Sequence, residues 1–82
     1  MEDKHNLLSG SLVFRYQMLG RLKSDCDYYL GFGGRSPRVL WAHDEKEQIQ
    51  LMRMLHKSFS KEEKPQFLSL SQINAYEKEM CK

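Results

Sequence analysis

Ser11-Leu12-Val13-Phe14-Arg15-Tyr16-Gln17-Met18-Leu19-Gly20-Arg21-Leu22-Lys23-Ser24-Asp25-Cys26-Asp27-Tyr28-Tyr29-Leu30 is the stretch that decides the fold class. Within it Leu12, Tyr16, Leu19, Leu22, Cys26 and Tyr29 follow one another at steps of four, three, three, four and three. That spacing places all six on one side of a helix with 3.6 residues per turn, the stripe of an amphipathic helix. Its start is open, because Leu12-Val13-Phe14 also reads as extended chain. Gly31 is expected to stop it near Leu30 as a left-handed terminator. Gly20 sits inside the pattern at a cost of about 1 kcal/mol against alanine.

Downstream, Gly31-Phe32-Gly33-Gly34-Arg35-Ser36-Pro37-Arg38 continues neither helix nor strand cheaply and predicts an irregular glycine-rich loop. Val39-Leu40-Trp41-Ala42 follows as an apolar anchor. Asp44 then opens a second helix in a capping-box spacing with Glu47, with Ile49, Met52, Leu55 and Phe59 as its buried stripe. Lys46, Gln50, Arg53 and Lys57 take the opposite side. A charged connector, Ser60 to Pro65, ends that helix, since proline cannot continue it. The third start is complete: Ser69 as cap, Gln72 three residues on, and Leu68 able to staple onto Ile73. Ile73, Tyr76 and Met80 form its stripe, with Glu77, Lys78 and Glu79 toward water. The expected fold is all-α, a small three-helix domain over residues 11–82 behind a flexible tail at residues 1–10.

With 82 residues the chain is one domain with a small core. Its 40% hydrophobic and 29% charged residues suit a globular product rather than a disordered one. No apolar run, neither Leu12-Val13-Phe14 nor Val39-Leu40-Trp41-Ala42, approaches the roughly 20 residues of a membrane helix. No charged-then-apolar leader opens the chain, so the expected compartment is the cytoplasm. Two cysteines, Cys26 and Cys81, are too few for a disulfide scaffold and read as reduced thiols.

Chemistry-bearing patterns are sparse. Gly31, Gly33 and Gly34 lack the Lys-Ser/Thr of a phosphate loop and follow a helix where a strand would be needed. His5, His43 and His56 share no zinc spacing with either cysteine. Asp25 and Asp27 flank Cys26 and raise rather than lower its thiol pKa, the reverse of a nucleophile's surroundings. The expectation is therefore no catalytic residue, no metal and no cofactor.

Two binding surfaces remain. Tyr28, Phe32, Arg35, Arg38 and Trp41 gather aromatics and arginines around the loop, the composition of a protein interface and also of a platform for single-stranded nucleic acid. Lys46, Arg53 and Lys57 lie along one line of the second helix and suit a phosphate backbone, although a net charge of only +2 is a weak basic signal. A homodimer is a third expectation, because Leu51 and Met54 widen the apolar area of that helix sideways.

Leu22 to Gly31, Gly34-Arg35, Leu40-Trp41-Ala42, Glu47-Gln48-Ile49, Tyr76-Glu77-Lys78 and Met80 together resemble the large polyvalent protein-associated domains over Tyr16 to Met80. Such domains occur as modules in giant proteins of bacteriophages and conjugative elements and as free-standing short proteins. The resemblance brings no catalytic motif. It implies a product of a mobile element acting in a bacterial host cell, with a stoichiometric inhibitor of a host defence protein or ribonucleoprotein complex, of CRISPR or restriction type, as the expected function. A nucleic-acid-binding accessory factor is the alternative.

Overall fold

A computed structural model describes residues 10–81; of the tail expected over residues 1–10, all but Gly10 lies outside the described residues, His5 included. Three helices follow in order: α1 (Leu12–Gly31), α2 (Glu45–Ser58) and α3 (Leu70–Met80), with single 3₁₀ turns at Pro37–Val39 and Lys61–Glu63 between them. No strand occurs among the described residues, so the domain is all-α.

Each helix begins where a side chain can replace the missing backbone partner of its first turn. Ser11 accepts the Phe14 N–H, which settles the open start of α1 in favour of helix from Leu12 onward. The Asp44 carboxylate accepts the Glu47 N–H. Ser69 and Gln72 form the full reciprocal box, each side chain bonded to the other residue's backbone.

The end of α1 departs from the sequence reading. Helix runs through Gly31, and Phe32 caps it with its N–H on the Tyr28 carbonyl. The left-handed backbone appears further on, at Gly34 (φ 63°) and Arg35 (φ 57°). Gly33 supplies a different need: a Cβ there would sit 3.0 Å from Val39 and 3.1 Å from the Tyr28 carbonyl oxygen and from the Tyr29 Cα. The chain folds back so closely that a side chain there would have to push its neighbours, two of them backbone atoms of α1, aside by a few tenths of an ångström. One of the three loop glycines thus belongs to the helix, and the connection holds a 3₁₀ turn that Ser36 caps through the Arg38 N–H.

The core is built where α2 lies between the other two helices. Leu19, Leu22, Cys26 and Tyr29 come from α1, Ile49, Leu51, Met52 and Leu55 from α2, and Ile73 and Met80 from α3. Leu40, Phe59 and Leu68 close it from the connections. Of the two residues expected to widen the apolar area of α2 sideways, Leu51 is buried in this core and Met54 is half-buried. Near the start of α1, Tyr16 stacks on Phe59 with ring centroids 4.7 Å apart. Arg15 covers that ring at 5.0 Å and donates to the Ser58 carbonyl at 2.8 Å.

Candidate functional site

The connection between α1 and α2 carries most of the expected aromatic and arginine residues; Asp25, Gln48 and Arg35 fasten it to the helices, and Tyr29 ties together the two helices it joins. Asp25 accepts the Trp41 N–H at 2.9 Å. Gln48, fully buried, accepts the Ala42 N–H at 3.0 Å through Oε1 and donates through Nε2 to the Leu22 carbonyl at 3.2 Å. Tyr29 donates to Glu45 at 2.6 Å, and burial first, then that carboxylate, push its hydroxyl up to about 12. Arg35 reaches across to the last turn of α3, where it donates to the Glu79 carbonyl at 2.9 Å and its guanidinium lies 3.8 Å from the Glu79 carboxylate. That carbonyl is among the last four of its helix, which have no partner inside it.

On this braced connection the five expected contact residues divide. Phe32 is 87% exposed and Tyr28 51%, with ring centroids 6.3 Å apart. Arg38 is exposed in the 3₁₀ turn. Trp41 is half-buried and packs against the core, and Arg35 is held by α3. The outward surface is therefore Tyr28, Phe32 and Arg38, with Arg35 and Trp41 holding it in place.

The basic row of α2 divides too. Lys46 and Lys57 are exposed, but Arg53 makes a two-pronged contact with Glu77 of α3, at 3.1 and 2.6 Å, and a 2.7 Å bond to Asn74. Hydrogen bonding to Glu77 raises the Arg53 pKa, and the same contact lowers that of Glu77. Glu77, read from the sequence as facing water, is thus a partner of α2. The row opens on a shallow groove whose walls include Lys46, Gln50, Arg53, Asn74 and Lys78.

Cys26 is wholly buried with its sulfur 3.6 Å from the Met52 sulfur, and its pKa is pushed up to about 12 by burial first, then by Asp25 and Asp27. Both thiols are free. Among the described residues no group of three or more histidine, cysteine or acidic side chains is placed to hold a metal ion, and no helix is long and apolar enough to cross a membrane.

With this geometry in view, the family described as large polyvalent protein-associated domain 11 matches the sequence over residues 12–80. The chain belongs to that family. Curated proteins and solved structures give no match. The matched span takes in all three helices of this large polyvalent protein-associated domain and both connections. The residues that carried the resemblance in the sequence prove to be its fasteners. Leu22, Asp25, Trp41, Ala42 and Gln48 share one bonded group, Arg35 reaches Glu79, and Tyr76 donates to Asp27. Sequence reading singled out neither Asp25 nor Gln48 for a bonding role. Gln48 had left a signal, since it stands four and seven residues before Met52 and Leu55 on the buried side of α2.

Proposed function

We propose that this domain works without catalysis, as a stoichiometric binding protein of a phage or mobile element that occupies a surface on a host defence complex of CRISPR or restriction type. Tyr28, Phe32 and Arg38 make the contact, and Arg35 and Trp41 hold the connection that presents them. The observation that carries this reading is the outward Tyr28–Phe32 pair at the end of α1, where a connection fastened at three points begins. Exposed aromatics beside an arginine are the side chains that dominate binding energy at protein interfaces. Fixing them beforehand lowers the ordering cost of association.

The groove beside the basic row of α2 is open to solvent, which suits contact with a macromolecular surface. The nucleic-acid alternative has less support, because Arg53 is already engaged by Glu77 and Arg35 by Glu79.

The test is protection in cells. Bacteria carrying an active CRISPR or restriction system are made to express the domain, and the plating efficiency of a targeted phage or plasmid is measured. Wild type raises it against at least one system, and Phe32→Ala with Tyr28→Ala abolishes the gain at unchanged protein level. Full protection by the double variant refutes the assignment of the surface.

A further inference from the structure

α1 and α2 lie side by side in opposite directions, and the bonds between them fix which residues face each other: Arg15 and Ser58, Leu22 and Gln48, Tyr29 and Glu45. One turn on from Arg15 and one turn back from Ser58 stand Met18 and Met54, opposite one another across the seam. Both are half-buried, and Phe14, a turn before Met18 on the same side of α1, is 39% exposed. Arg53, which reaches α3, points about 100° away from Met54 around α2. α3 therefore covers a different side of α2, and this flank carries the sideways apolar area noted in the sequence.

The chain comes into α1 over this flank. The Gly10 carbonyl accepts the Arg15 Nε–H at 3.0 Å, and Gly10 rests against the Phe14 ring so closely that a Cβ would sit 2.3 Å from the ring carbon Cδ2. Arg15 in turn is bonded to Ser58 at the end of α2, so the described residues begin on the seam itself. Leu7 and Leu8 stand three and two residues before Gly10 and are the only apolar side chains between Glu2 and Ser9. Three residues reach up to about 10 Å, and Met18 lies roughly 6 Å along the helix from Phe14.

We infer that Leu7 and Leu8 seat on this flank, against Phe14, Met18 and Met54 of the same chain, as a strap across α1 and α2. Methionine suits the role, since its unbranched side chain moulds to the apolar group it meets. A short tether holds the leucine pair near the seat at an effective concentration in about the millimolar range, so a second copy or another apolar partner competes poorly for it. The strap lies outside the span shared with the family, residues 12–80, whereas its seat lies within it. The seat is at the opposite end of α1 from Tyr28 and Phe32 and is independent of the proposed target.

The test is methyl NMR of the full chain with its leucine and methionine methyl groups labelled. Nuclear Overhauser contacts join Leu7 or Leu8 to the Met18 and Met54 methyls, persist on dilution, and do not appear between labelled and unlabelled copies in a mixed sample. Leu7→Ser with Leu8→Ser shifts the Met18 and Met54 methyl resonances and leaves that of Met80, the core methionine of α3, unmoved. Met54→Glu removes the contacts of Leu7 and Leu8 to Met18, while circular dichroism shows the helices intact. Leu7 and Leu8 methyls without contact to either methionine, contacts to other side chains in their place, or contacts that form only between two copies overturn the inference.

Discussion

Replacing Gln48 by leucine keeps most of the buried volume and removes both of its hydrogen bonds, to the Ala42 N–H and the Leu22 carbonyl. The two partners are affected unequally. The Leu22 carbonyl lies inside α1 and keeps its helical bond, but the Ala42 N–H is left facing an apolar side chain. A buried donor without a partner costs about 1–3 kcal/mol, and a near-isosteric swap adds little from packing. For a domain of this size 1 kcal/mol moves the melting temperature by about 4–8 °C, so a fall of roughly 5–20 °C is expected. Calorimetry measures the fall, and amide exchange followed by NMR should show Ala42 losing protection more than the core of α2. A melting temperature within about 2 °C of wild type, against a penalty this large, would refute the reasoning that Gln48 fastens the connection.

Other outcomes follow from the same structure. Phe32→Ala and Tyr28→Ala should leave stability within about 0.5 kcal/mol of wild type by urea unfolding, because both rings are more than half exposed. Ser69→Ala should cost about 1 kcal/mol in the same measurement through loss of the cap of α3. Burial first, and Lys64 second, hold the His56 imidazole below its ordinary 6.5. Its folded pKa being depressed, stability is full above 6.5 and declines as pH falls from there through the folded value, because the unfolded chain takes up the proton more readily. Melting temperatures between pH 7.5 and 5 should show that decline, and His56→Gln should flatten it. Arg53→Glu should destabilise the domain while Lys57→Glu does not, since only Arg53 is bonded to α3.

What was legible in the sequence was what local spacing decides. The caps at Asp44 and Ser69 depend on a side chain and a backbone N–H three residues apart, and both formed. The stripe of α1 separated Tyr29 from its neighbour Tyr28, because adjacent residues on a helix point about 100° apart, and the structure buries one and exposes the other. Long-range pairs were not legible. Arg53 lies opposite the apolar stripe of α2 and looked solvated, yet α3 packs close enough along its flank to bring Glu77 within 2.6 Å. Gly31 has the residue type of a terminator, but the chain reverses later, where Gly33 must pass close to Tyr28 and Tyr29. In the candidate site, residue types located the surface, and only the fold separated Phe32, which points outward, from Trp41, which is packed beneath.

Binding of a host defence protein through Tyr28, Phe32 and Arg38 is the proposal on which the rest depends. The most direct measurement is an affinity pull-down of tagged wild type and of a Tyr28→Ala, Phe32→Ala, Arg38→Ala variant from host lysate, each with and without nuclease treatment, read by mass spectrometry. Wild type should retain subunits of one defence complex after nuclease, and the variant should lose them. Recovery of the same proteins by the variant, or of nucleic acid and its binders from untreated lysate alone, would contradict it.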